Sequence, residues 1–141
     1  MHKSNRTSRG FYQQLAKLFY AVAATDGKVR PEEIEELKKI VKNEWLAIDN
    51  SFDEYGTDLV YYILITFDWL HENNWDIKQS IPEFKIYKKN HEELFTAAVN
   101  QLIFKTSSVI ASAFAQRNKS ELVFLSQLEV ILNNNNQPLN K

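Results

Sequence analysis

The chain has no cysteine, which excludes disulfides, thiolate zinc sites and cysteine nucleophiles and fits a reducing compartment. Glycine and proline are scarce, three of each in 141 residues. A β-sandwich of this length would need many more turn residues, so long helices joined by short corners are expected. A charge excess is also missing: 17 basic and 18 acidic residues leave a formal net charge of -1. That balance argues against a dedicated binder of nucleic acid or another polyanion. The longest apolar run, residues 59–67 between Asp58 and Asp68, is about half of the ~20 residues that a membrane-spanning helix needs. The basic stretch from His2 to Arg9 leads into Tyr12, Gln13, Gln14 and Lys17 rather than a continuous apolar run, so no secretory signal is read there. A soluble, cytoplasmic protein is expected.

What is present supports one packed domain. Apolar residues make up 44% of the chain and aromatic residues 13%, enough for a core at this length. Phe11, Leu15, Leu18, Phe19 and Val22 recur at helical spacing, with Thr7 or Ser8 as N-cap and an end near Thr25. Gly27 supplies a left-handed stop. A second helix opens at Pro31, where a missing amide hydrogen costs nothing, and buries Ile34, Leu37, Ile40, Val41 and Trp45. Glu35 and Lys39 offer an i,i+4 pair on its wet face. Residues 57–72 read as a helix buried nearly all round, closed by Asn73 and Asn74. Around Pro82 the spacing suggests one short helix before the proline and another after it. Asn90 is the expected cap of a long helix with Glu92 and Glu93 in its first turn and Leu94, Phe95, Ala98, Val99, Leu102, Val109, Ile110 and Ala113 inward. A capping box at residues 118–121 opens the last helix, with Leu122, Leu125, Leu128 and Ile131 inward. The fold class is thus all-α: a single-domain bundle of about six to seven helices.

Two helical hairpins repeat faintly. With Glu121 placed on Glu33, Ile110 falls on Val22, Ala111 on Ala23, Leu122 on Ile34, Leu125 on Leu37 and Leu128 on Ile40. The corner differs, because Asp26 meets Phe114 and Gly27 meets Ala115. Duplicated hairpins facing each other would close one core.

The first corner, Ala23-Ala24-Thr25-Asp26-Gly27-Lys28-Val29 followed by Pro31-Glu32-Glu33, resembles that of the tellurite-resistance TerB-like family. These are small all-helical proteins built around an Ala-Asp-Gly-x-Val corner. The likeness covers the first hairpin well and the last loosely, and Thr25 departs from the usual alanine. It implies a TerB-like helical domain over residues 1–132, followed by a disordered asparagine-rich tail over 133–141. It also implies a non-enzymatic module that binds other proteins in a stress-response or membrane-associated complex. Carried over by position, Asp26 and Glu33 would form a divalent-cation site. Read from the residues themselves, Asp26 instead accepts hydrogen bonds from the amides that open the second helix, because Arg30 cannot. Lys28 and Arg30 occupy the places where a calcium loop of EF-hand type puts acids, which disfavours a tight calcium site.

Other candidate sites have plainer readings. Asp68, His71 and Glu72 share one side of a helix, but a di-iron bundle needs an acid–histidine pair twice. His91 lacks the second histidine of a zinc-protease helix. Lys85, Tyr87, Lys88 and Lys89 read as a solvated face. Trp45, Trp69 and Trp75 read as core or pocket lining, with an exposed Trp75 marking a partner groove. No nucleophile–base pair or phosphate loop is visible, so catalysis and a cofactor are not expected.

Overall fold

The computed structural model describes residues 5–25, 28–113 and 119–133. Over these residues the chain forms six helices and no strand, packed as a single all-α bundle. The helices are α1 (Asn5–Ala24), α2 (Pro31–Ile40), α3 (Tyr62–Glu72), α4 (Ser80–Asn90), α5 (Ala97–Ser112) and α6 (Lys119–Asn133).

The axis of the bundle is α1. Leu15, Ala16, Leu18, Phe19, Ala21, Val22 and Ala23 are wholly buried, and Phe11, Tyr12 and Tyr20 nearly so. Its alanines let neighbours approach closely, and α3 lies along it with α4 and α5 also in contact. Burial of one side chain such as Phe19 stabilises the fold by roughly 1.5–3 kcal/mol. Thr7 and Ser8, the expected caps, lie inside the helix rather than at its start.

In α2, Leu37, Ile40, Val41 and Trp45 are buried as expected, and Ile34 is half-buried. The helix does not end at Ile40. It continues through one π-wound turn, Val41–Trp45, into a last turn, Leu46–Ile48. Trp45 is thereby carried into the core, where its Nε1–H donates to Thr106 Oγ1 at 2.9 Å and that hydroxyl donates to Leu102 O at 2.7 Å. The surface ion pairs are Glu35–Lys38 and Glu36–Lys39, at i,i+3 rather than the expected Glu35–Lys39.

Three expectations change for reasons of angle and capping. First, α3 is two-faced rather than buried all round: Ile63, Phe67 and Leu70 face inward, whereas Ile65 and Trp69 are more than half exposed. Second, Pro82 does not divide residues 76–89 into two α-helices. It sits in the first turn of α4, where the amide it lacks has no partner to lose, after a short 3-10 turn at Ile77–Gln79. Third, Asn90 ends α4, and the working cap of α5 is Thr96, whose Oγ1 accepts from Val99 N at 3.2 Å. Leu94 and Phe95 are buried anchors of the connection, with Phe95 edge-on to both Phe11 and Phe84.

Within α5 the inward arc holds Leu102, Ile103, Thr106, Ser107 and Ile110. Ala98 lies about 110° from the middle of that arc at 100° per residue and is exposed. In α6 Phe124, Leu125, Leu128, Ile131 and Leu132 are buried. Leu122 stands about 120° off their centre and is half exposed rather than inward. Asn118, which opens the expected capping box, the corner residues Phe114 and Ala115, and all of the tail except Asn133 lie outside the described residues. Asn133 itself is the last residue of α6.

Candidate functional site

At the first corner, Thr25 closes α1 by donating from Oγ1 to Val22 O at 3.0 Å. Asp26 and Gly27 lie outside the described residues. Beyond them Val29 packs on the core, and Arg30 takes an extended conformation ahead of Pro31. Glu33 is almost fully buried, and its Oε1 accepts the Arg30 N–H at 2.7 Å. A carboxylate inside α2 therefore satisfies the cap amide from within, a role the residues alone suggested for Asp26. Beside the corner is a cleft of about 440 Å³ between Tyr20, Lys28, Val29, His71 and Trp75. Tyr20 stands edge-on to Phe67 and Trp75, and burial raises its hydroxyl pKa above the ordinary phenol value.

The remaining sequence candidates separate in the structure. Asp68, His71 and Glu72 are exposed at the end of α3. Among the described residues no group of three or more acidic or histidine side chains is placed to hold a metal. His91 stacks on Tyr87 with ring centroids 4.1 Å apart, and its Nδ1 lies 3.0 Å from Tyr87 O. The Lys85–Lys89 patch is divided, because Lys88 is buried with its ammonium 5.7 Å from the Phe95 ring centre. Burial lowers the Lys88 pKa. Trp45 is core, and Trp75 is half-buried beneath the Lys17 ammonium, 5.6 Å from its ring centre. The exposed tryptophan is Trp69.

Trp69 belongs to a surface that single-residue candidates did not reveal. Tyr62, Ile65 and Trp69 follow one another at i, i+3 and i+7 along the outer side of α3. The loop before α3 extends this side. Phe52 and Asp58 form an isolated antiparallel bridge, Leu59 N donates to Ser51 O, and Gly56 turns the chain with φ +83. Any other residue at Gly56 would strain the turn. Asp53 organises the loop from inside: its Oδ1 accepts from Tyr55 N and Thr57 N, both at 2.9 Å, and its Oδ2 accepts the Tyr62 hydroxyl at 2.7 Å. The Tyr62 bond, with the backbone bonds and Arg9, holds the Asp53 carboxyl below its ordinary value, and the same bond raises Tyr62. A second anchor joins the loop's start to α1, where the buried Tyr12 hydroxyl donates to Asp49 Oδ2 at 2.5 Å. Burial, then that bond, pushes the Tyr12 pKa far upward.

The loop presents Phe52 and Tyr55 to solvent, the latter 82% exposed. With Ile48, Ile65 and Trp69 they make five of the nine large apolar residues that are exposed among the described residues. The same part of the chain has a charge asymmetry. Between Lys42 and Lys78 there is no lysine or arginine, yet eight of the 18 acidic residues lie there. A run of 35 residues without a cation is the sequence signal that could have found this face. A scan of the chain against known protein families finds no match, and searches of curated proteins and of solved structures find none either.

Proposed function

We propose that the chain is a non-enzymatic helical module that binds another protein, of TerB-like type, and works in the cytoplasm within a stress-response or membrane-associated complex. The observation that carries the interaction reading is the exposed apolar side of α3 and its loop. A tryptophan 57% exposed and an isoleucine 51% exposed share one side of α3, and the loop tied to that helix by the Asp53–Tyr62 bond exposes Phe52 and Tyr55; exposed apolar residues gathered in this way mark interaction sites. Tryptophan and tyrosine are also the residues that dominate binding energy at protein interfaces. Among the described residues no helix is long and apolar enough to cross a membrane, so a membrane complex would be reached through a partner. The test is affinity purification from the native cell with the wild-type chain and with Ile65→Asp/Trp69→Asp. A partner retained by the first and lost by the second is expected. Recovery of the same partners by both would overturn the reading.

One observation favours a second reading, a divalent-cation binder at the corner: Glu33, seven residues after Asp26, is a carboxylate almost fully buried. It predicts that millimolar calcium, magnesium or zinc raises the melting temperature, and that Asp26→Ala and Glu33→Gln each remove the rise. An unchanged melting temperature in all three metals would dispose of it.

A further inference from the structure

We infer that the outer side of α3 and the 51–59 loop dock a cationic amphipathic helix of a protein partner. The inference rests on the interaction reading above and adds the partner's chemistry. Tyr62, Ile65 and Trp69 form a stripe about 10 Å long at 1.5 Å per residue, a length that matches two turns of an apposed helix. The flank of this stripe is acidic. Asp68 and Glu72 each lie three residues after Ile65 and Trp69, roughly 60° around the helix from them, and both are exposed. Glu54 is exposed in the adjoining loop. No cation within residues 43–77 offsets these acids, and Arg9 of α1 pairs with Glu54 alone of the three among the ion pairs of the described residues.

The structure contains one example of what this surface accepts. The Arg9 guanidinium, arriving from α1, lies over the Tyr62 ring at 4.9 Å and within reach of two acids, Glu54 at 3.2 Å and Asp53 at 3.9 Å. An aromatic face between carboxylates is a setting that favours a guanidinium or ammonium over an uncharged group. Charge also selects among occupants. A second copy meeting through the same face would set acid against acid, and an anionic lipid surface would be repelled. A segment with leucine-like residues at helical spacing and lysine or arginine on the rim satisfies both halves of the surface.

The test uses three fluorescent 18-residue probe peptides with the same leucine spacing, carrying lysine, glutamine or glutamate at the polar positions, titrated with the full chain. The lysine peptide is expected to bind at least about tenfold more tightly than the glutamine peptide at low salt, the glutamate peptide not at all. Its affinity should fall as ionic strength rises toward about 0.15 M, where screening acts over ~8 Å. Asp68→Lys/Glu72→Lys should abolish that preference, and Ile65→Ser/Trp69→Ser should abolish binding. Glu32→Lys/Glu35→Lys, an equal charge change at exposed positions of α2, should leave binding intact. All variants change exposed side chains, and circular dichroism verifies that they remain helical. Equal binding of all three peptides that still depends on Trp69 would overturn the cationic partner and leave the interaction reading standing. Binding insensitive to Trp69, no binding by any peptide, Trp69-dependent self-association, or a preference for phosphatidylserine vesicles would each overturn the inference.

Discussion

The first and last helical pairs of the bundle share a burial pattern and differ in what they bury against. At the offset that places Ile110 on Val22, the pairs Val22/Ile110, Ala23/Ala111, Leu37/Leu125 and Ile40/Leu128 are all buried on both sides. Leu15 and Ile103 extend the series, also buried in both. Yet α6 packs on its own partner α5, whereas α1 packs chiefly on α3 and α2 chiefly on α5. The side chains differ in size as well. The first pair supplies bulk: Leu18, Phe19 and Trp45. At the positions equivalent to Leu18 and Phe19 the second pair has Thr106 and Ser107, wholly buried. A large indole on one side requires small residues on the other at close-packed density. The repeat closes one core through complementary halves rather than identical ones.

The most severe way to break this comparison is to remove the bulk. Trp45→Ala should destabilise the fold by ~3–5 kcal/mol, read as a lower urea midpoint, because the cavity opens between α2 and α5 where neither pair can fill it. Next is the hydroxyl on the small side. Thr106→Val keeps the volume but leaves Trp45 Nε1–H buried without its acceptor, a loss of ~1–3 kcal/mol by the same measurement. Ser107→Ala, one residue on, should have the opposite sign, a gain of up to ~1 kcal/mol, since Ser107 Oγ is buried with no hydrogen-bond partner among the described residues. If neither change alters the midpoint, the small residues matter for volume alone. At the corner, Glu33→Ala should cost ~1 kcal/mol, because the Arg30 amide loses the carboxylate that caps it.

The smallest effect concerns the loop rather than the core. The carboxyl of Asp53 sits below its ordinary value of 3.8, so its contribution to stability is fully present above that pH and is lost as the pH falls through the lower folded-state value. Tryptophan fluorescence of the wild type should therefore report loosening of α3 in acid below about pH 4, and Asp53→Asn should flatten that dependence. An unchanged acid profile would mean that the Tyr62 bond does not hold the loop.

The helical class and the α1 core were legible because the apolar period of α1 is long and regular and turn residues are few. Errors arose where one apolar residue sat near the edge of a stripe: Ala98 and Leu122 have the chemistry of inward residues and the angle of outward ones. Thr96 is masked in the sequence because Asn90, with two glutamates behind it, carries the stronger local cap signal, and only the buried anchors Leu94 and Phe95 show that the chain turns again. The α3 surface was hidden by the same chemistry. An apolar residue in a strongly apolar helix reads as core, and Ile65 and Trp69 differ from Ile63 and Phe67 only in angle. Of the corner pair, Glu33 proved a buried cap, a role not distinguishable from metal binding by residue type.

The π-wound turn at Val41–Trp45 has a consequence for how the chain can change length. Among the described helices it is the one place where the backbone holds a residue beyond what α winding needs. Loss of a residue inside α1 would rotate everything after it by about 100° and turn its buried face outward. Loss of Lys42 or Asn43, both exposed, could instead be absorbed by tightening the turn to α winding, with Trp45 still delivered to Thr106. Among the described residues, the longest continuous helical run after α1 thus contains its own site for a tolerated single-residue deletion.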